Sequence, residues 1–451
     1  MKGTSRTMVA DAGPRRHSVD VYTTLPMQRL SGMAFTERLT PFRVLMGALA
    51  IWLVAFVLAP VSPRWPQSGW PILALLSGYG FLVLGFVLPA LFGIRFKRLD
   101  VKSDRLAIVF RICLLLAVVG VGARLIDYFV IRGIDLDDNV FEMRRALSST
   151  GSSFVSVVAA LLTPFGLAAL LLAAIGRHLG IFKRIGIVPL VVASSAPALT
   201  VLLASRTQLL ALGLCIFVTF ALLARRIRPG QVALASAAAF LAILVFSYMF
   251  IWRLEQMGIS YQFASRYSAY THVVPLAPWY LDMVDASGSA GALLVAFASL
   301  FQYALSGTFE FFYLLELKDG NFAHGDYQFF IIAKLVAVFA GKSSTAATQV
   351  IDVINPRVGV FQSFFGPAYI DFGYFFPVFC IAYGFVAEMA RLSARAGNPY
   401  AFPLYVFTLM QIMLVPMVSG LLMGAGVISN LAFAGLALLA TFYNQLKRAG
   451  R

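Results

Sequence analysis

The chain of 451 residues is 60% hydrophobic and only 12% charged, about half the charge density of a soluble domain. A single water-soluble core is excluded, and most of the chain belongs in lipid. Lysine and arginine outnumber the acids 36 to 20, a net charge of +16. In a membrane chain such an excess first sets topology rather than pointing to nucleic acid.

Residues 1–41 read as a basic cytoplasmic tail along the anionic inner leaflet, and the first apolar run as a retained signal anchor, because no short apolar stretch with a small-residue cleavage site stands before it. From 42 to 451 the chain reads as one polytopic membrane domain. Apolar runs at 42–60, 70–93, 106–123, 153–175, 187–203, 208–224, 232–250, 367–387, 402–421 and 424–443 predict about ten transmembrane helices, with twelve as the upper bound. The fold class is all-α, since each backbone polar group must find its partner inside the segment in hydrocarbon. Pro89, Pro164, Pro197 and Pro377 fall inside these runs and predict kinks. Cys113, Cys215 and Cys380 lie in apolar runs without CxxC spacing or a neighbouring histidine, so they indicate neither a disulfide framework nor zinc.

With the N-terminus inside, the inner segments hold 22 Lys and Arg in 90 residues and the outer segments 12 in 158. That bias supports an N-in, C-in topology. An eleventh crossing would break it, so Ala290 to Leu305 is expected to be a re-entrant or interfacial helix, and Phe329 to Phe339, too short to cross, to lie at the interface. Residues 251–366 then form a long outer region rich in Tyr and Phe, and ordered loops of that length usually carry function.

The outer face holds isolated arginines. Arg206 sits in the short connection Ala204-Ser205-Arg206-Thr207, Arg253 follows a span beside Trp252, and Arg266 stands in Ser265-Arg266-Tyr267. Each is an interfacial anchor or a phosphate-binding group, because the guanidinium fork matches phosphate oxygens. Asp135-Leu136-Asp137-Asp138 reads as a solvated acidic loop, although DxD spacing can hold a metal at a diphosphate. Glu310 lies in the apolar stretch Gly307-Thr308-Phe309-Glu310-Phe311-Phe312, where it serves as a general base or pairs with an outer arginine. His272 and His324 are the only outer histidines and are candidate proton carriers. P-loop, Rossmann, zincin and hydrolase-elbow motifs are absent, which excludes an ATP-driven pump among other classes.

Ser205-Arg206-Thr207 opens a span, Arg253 follows the next one, and Gly307-Thr308-Phe309 lies in the long outer region; Asn355-Pro356 and Tyr369-Ile370-Asp371-Phe372-Gly373 come after it. In that order these segments resemble the O-antigen polymerase (Wzy-type) oligosaccharide repeat unit polymerases, over roughly residues 124–390, and the related O-antigen ligases. One departure is Phe376, where the family commonly has a second glycine.

The resemblance implies a GT-C-like glycosyltransferase of the bacterial inner membrane. Such an enzyme polymerises undecaprenyl-pyrophosphate-linked oligosaccharide repeat units at the outer face, with inversion and with neither metal nor cofactor. It implies diphosphate binding by Arg206, Arg253 and Arg266, and a catalytic base drawn from His324, Glu310 and His272. Tyr267, Tyr270, Trp279 and Tyr280 are expected to contact sugars or to anchor at the interface. Asp371 is expected to cap the helix it opens, or to orient an arginine or the acceptor. Partners would be membrane lipid, a flippase and a chain-length regulator. Ligase-type transfer and transport of a lipid-linked glycan are the alternatives.

Overall fold

A backbone in hydrocarbon must satisfy its own hydrogen bonds, and each of the ten runs expected to span contains helix. The computed structural model describes residues 37–96, 103–135, 142–143, 153–202, 207–224, 229–317, 320–339, 355, 357, 360–422 and 426–449. The helices are α1 (Pro41–Leu58), α2 (Trp70–Leu91), α3 (Ser103–Leu125), α4 (Phe154–Leu162), α5 (Pro164–His178), α6 (Ile187–Leu202), α7 (Thr207–Leu223) and α8 (Pro229–Gln256). They continue with α9 (Tyr261–Tyr267), α10 (Pro278–Ala286), α11 (Gly291–Leu317), α12 (Phe330–Phe339), α13 (Phe365–Phe372), α14 (Phe376–Arg395), α15 (Phe402–Met413) and α16 (Gly426–Ala449).

Segments Pro41–Leu58, Trp70–Leu91, Ser103–Ile131, Phe154–His178, Gly288–Leu317 and Phe365–Arg395 are long and apolar enough to cross a membrane. The protein is a multi-pass helical membrane protein. Asp137 of the DxD, the adjoining Asp138, and Arg206 lie outside the described residues.

Prolines mark several helix starts. Pro41 follows the Thr40 cap, whose side chain accepts from Arg43 N–H, and Pro164 opens α5 where its missing donor costs nothing. Pro164 therefore separates two helices, while Pro89 and Pro197 lie inside α2 and α6. Pro377 also starts a helix rather than kinking one. The expected span at 367–387 falls within Phe365–Arg395 but is broken near its start: α13 ends at Phe372 before Gly373, whose φ of 54° terminates it, and α14 begins afresh at Phe376.

The expected span at 402–421 is shorter too. Helix α15 stops at Met413, and tight turns follow in which Leu414 N–H donates to Gln411 O and Met417 N–H to Leu414 O. Pro416 disfavours helix in the residue before it. Twelve residues give about 18 Å of helix, short of the roughly 30 Å apolar layer.

Two apolar cores hold the bundle. One gathers α3, α5, α7 and α15 around Leu171, Leu172, Val218 and Phe402, and the other gathers α1, α2, α11, α13 and α14 around Leu45, Leu82, Phe311 and Phe365. Helices α2 and α14 touch backbone to backbone: a Cβ on Gly85 would lie 2.3 Å from Ile381 O, and one on Gly384 2.4 Å from Leu82 O. Small residues permit such contact, the main source of attraction between helices in lipid.

Helix α11 runs to Leu317, well past the expected Leu305. Along it, Gln302 Nε2 donates to Val274 O at 2.8 Å, Phe309 meets Trp65 edge-on at 5.5 Å, and Glu316 Oε1 accepts Gln67 N–H at 2.7 Å. Residues 60–64 in turn pair with 273–277 through Ser62 N–H to Pro275 O, Arg64 N–H to Val273 O and Ala277 N–H to Pro60 O. The second half of α11 thus lies along the end of the bundle that carries the α1–α2 connection.

Candidate functional site

Glu310 lies in the second half of α11 between Phe309 and Phe311 and is 1% exposed. A carboxylate so buried requires a partner, and Arg357 supplies it with Nη1 3.4 Å from Oε1. The same guanidinium donates through Nη2 to Ala269 O and lies with its Cζ 5.7 Å from the Tyr313 ring centroid.

His272 closes the 3₁₀ turn Ala269–His272 and meets Tyr313 edge-on at 4.7 Å. Its imidazole is held below the ordinary histidine value by burial first, then by the guanidiniums of Arg357 and Arg64, which favours the neutral ring at neutral pH. Tyr313 is the common wall for His272 and Arg357, and it follows Glu310 by three residues on α11.

The cluster is incompletely satisfied. Among the described residues His272 Nε2, Glu310 Oε1 and Arg357 Nη1 are buried without a hydrogen-bond partner. Glu310 and Arg357 stand at ion-pair distance but outside hydrogen-bond geometry. Buried polar atoms are nearly always partnered in folded proteins, by protein or by water, so three in one place make this cluster the candidate site for a polar ligand.

Arg357 and Arg64 are the residues that sequence reasoning missed. Arg357 follows the Asn355-Pro356 pair directly, and Arg64 is the only cation in the α1–α2 connection; those were the available signals.

The other expected site residues are dispersed. Arg266 is engaged by Asp285, with Nη2 2.6 Å from Oδ2 and Nη1 3.3 Å from Oδ1. Both side chains are exposed, and the bonded guanidinium holds the Asp285 carboxyl below its usual range. Arg253 is half-buried in the last turn of α8. Tyr267 and Trp279 are exposed, Tyr267 beside Phe263 at 5.0 Å and Trp279 edge-on to Tyr280 at 5.5 Å. Tyr270 meets Tyr303 edge-on at 6.1 Å.

His324 is exposed with a φ of 51°, and its N–H donates to Asp371 O at 3.0 Å. Among the described residues it shares no hydrogen bond or ring contact with the Glu310 cluster. Asp371 lies in the last turn of α13, so it does not cap the span it was expected to open. Its carboxylate instead accepts the N–H groups of Gly325, Tyr327 and Gln328 at 3.1, 2.9 and 2.8 Å, on the turn leading into α12.

A second feature lies deeper in the bundle. A cavity of about 320 Å³ is bounded by α3 to α7, α12, α15 and α16, with Arg124, Tyr128, Thr163, Thr200, Gln208 and Ser429 in its wall. Helix α3 continues into a π-helical segment, Ile126–Ile131, a rare form common at functional sites. Asp127 on that segment is taken by Arg132 Nε at 3.0 Å and by Ser153 Oγ at 2.7 Å. Arg124 lies over Tyr128 at 5.6 Å, and among the described residues no carboxylate comes within ion-pair reach of it. Thr200 and Gln208 stand on either side of the connection that contains Arg206.

Among the described residues no group of three or more His, Cys, Asp or Glu side chains is placed to hold a metal. No family model matches the chain, and neither a curated protein nor a solved structure matches it.

Proposed function

We propose that this protein is a membrane glycosyltransferase of the repeat unit polymerase type, which takes an oligosaccharide from undecaprenyl pyrophosphate and joins it to a hydroxyl of another lipid-linked unit. The observation that carries the reading is the grouping of His272 and Arg357 on Tyr313, with Glu310 ion-paired to Arg357, in which His272 Nε2, Glu310 Oε1 and Arg357 Nη1 are buried without a hydrogen bond.

Each atom suits one need of the reaction. The acceptor hydroxyl attacks the anomeric carbon, the bond from that carbon to the pyrophosphate oxygen breaks, and the hydroxyl proton passes to His272 or Glu310. A neutral imidazole is ready to take it. Charge grows on the departing pyrophosphate, and fixed cations in a dry site stabilise it without reorganising. Arg357 and Arg64, whose charges both reach His272, are assigned that part in this reading, with Arg206 and Arg253 as further cations expected at the same face. The cavity beside Arg124 suits the lipid-borne end of the donor, having an apolar wall and one cation without a carboxylate partner among the described residues.

The bundle end carrying the α1–α2 connection is read as extracytoplasmic, in the bacterial inner membrane. Flippase and chain-length regulator proteins would supply substrate and set product length there. A ligase differs only in its acceptor, and the site chemistry is the same.

The test gives purified protein in nanodiscs an undecaprenyl-pyrophosphate-linked repeat unit as both donor and acceptor. The expected product is a ladder of lengthening glycans, reduced by about 100-fold or more in Glu310→Gln or His272→Ala and in Arg357→Ala. A ladder of normal length and rate from Arg357→Ala refutes the assignment of the site. Absence of any ladder from well-folded wild-type protein refutes the polymerase reading.

A further inference from the structure

Arg357 belongs to no helix, yet its guanidinium must be held within ångströms of Glu310 and His272. We propose that Asp371, Tyr327 and Asn355 form a positioning relay that sets Arg357 in the site, each acting through the next and none touching a reacting group. The inference rests on the reading of the Glu310–Arg357–His272 cluster as the site.

The relay starts at Asp371, a fully buried carboxylate whose two oxygens take three backbone N–H groups of one turn. Two more bonds zip that turn to α13, from Ala323 N–H to Ile370 O at 2.9 Å and from His324 N–H to Asp371 O at 3.0 Å. A carboxylate that accepts several backbone bonds is a stiff anchor. His324, at the start of the anchored turn, takes a left-handed conformation with a φ of 51°.

Tyr327 rides on the anchored turn, and its hydroxyl accepts Asn355 Nδ2 at 3.0 Å. That bond fixes the Asn355 amide, because its Oδ1 faces two N–H donors: Arg357 N–H at 3.2 Å and Gln362 Nε2 at 3.3 Å. Asn355 is buried, so its side chain has no water to turn towards. The Arg357 backbone is thereby tied to Tyr327 on one side and to Gln362 on the other.

The frame closes on α11. Gln362 O accepts Ser419 N–H at 3.0 Å, and Ser363 N–H donates to Gly307 O at 2.9 Å, one helical turn before Glu310. Thr308 Oγ1 donates to Pro416 O at 2.9 Å. A Cβ on Gly307 would stand 1.9 Å from Met417 O, so the α15–α16 connection is pressed against α11 at this level. Carboxylate and guanidinium are thus referenced to one hydrogen-bonded frame although they come from distant parts of the chain.

The readout is the titration of His272, which is held down by burial and by the charges of Arg357 and Arg64 and whose ring packs on Tyr313. The protein has four histidines, so the imidazole signals of carbon-13 histidine-labelled protein are assigned by single substitutions. Arg357→Gln is expected to raise the His272 midpoint by about 0.5 to 1 pH unit. Tyr327→Phe, which removes one hydroxyl and keeps the ring, and Asn355→Ala are expected to move it the same way by about 0.2 to 0.4 pH unit, while Arg266→Ala leaves it in place.

An unmoved His272 in Tyr327→Phe overturns the relay, and this mild variant decides the matter if Asn355→Ala does not fold. No movement in Arg357→Gln overturns the cluster and the relay together. A relay that passes while no glycan ladder forms refutes only the polymerase reading, so the two failures are distinguishable.

Discussion

Removing Arg357 alone should harm the fold more than removing Arg357 and Glu310 together. At 3.4 Å two unit charges attract by about 5 kcal/mol at an effective dielectric constant near 20, but taking both ions out of water costs several kcal/mol each. The net stabilisation by the pair is therefore small. Arg357→Ala leaves a 1%-exposed carboxylate without its cation, which costs about 3 kcal/mol, together with about 1 kcal/mol for the lost bond to Ala269 O. Glu310→Leu with Arg357→Met keeps volume and removes both charges, so its stability should lie within about 1 kcal/mol of the parent. Thermal unfolding in detergent followed by size-exclusion fluorescence measures the order of the variants, and the glycan assay runs beside it. The expected pattern is a destabilised single variant, a recovered double variant and no activity in either. A double variant that unfolds as readily as the sum of its singles would show that the pair holds the fold together, and the small net stabilisation by the pair would be refuted.

Gly85→Ala places a methyl group 2.3 Å from Ile381 O and Gly384→Ala one 2.4 Å from Leu82 O, so each should cost about 1–3 kcal/mol. In the combined variant the costs should fall short of their sum, because one outward shift of α14 relieves both clashes; strict additivity in melting experiments would mean that the two contacts are independent. Arg266→Ala breaks an exposed pair with Asp285 and should change neither melting nor the rate of glycan extension by more than twofold. A large loss of extension would return Arg266 to the site.

The helical class and the position of each apolar run were legible because lipid imposes one local rule on every residue, and composition alone reveals where it applies. The ends were harder to read, for reasons that lie in tertiary structure. Residues 414–421 are apolar like the run before them, and only the turn at Pro416, pressed against α11 through Thr308, shows that the helix has stopped. Helix α11 was underestimated from the opposite direction. Charge counting argued against a crossing at Ala290–Leu305, and the reading stopped at the first polar residues, whereas Ser306, Thr308 and Glu310 are buried within one continuous helix.

The site shows the same division more sharply. Glu310 and His272 could be singled out because an acid in an aromatic run and a lone histidine stand out by type. Arg357 could not, since its meaning comes from Glu310, which is far away in sequence and reaches it only through the fold. Asp371 was noticed for its place before Phe-Gly and expected to cap its own helix, yet its carboxylate serves a turn from another segment. A capping residue read from sequence is assumed to act locally, because local donors are the only ones a sequence displays. In a bundle where the ends of several helices meet, the free N–H groups of a neighbouring turn compete equally well, and burial decides between them. Asp371 is fully buried and takes the three it meets. The same logic explains why Arg266, one of the three expected phosphate-binding cations, is already occupied. It lies at the surface with Asp285 within reach, and an exposed guanidinium takes the nearest carboxylate at little cost. Cations that remain available to a ligand are those the fold separates from acids, such as Arg124 over Tyr128, or places against an acid in a geometry short of a hydrogen bond, as with Arg357.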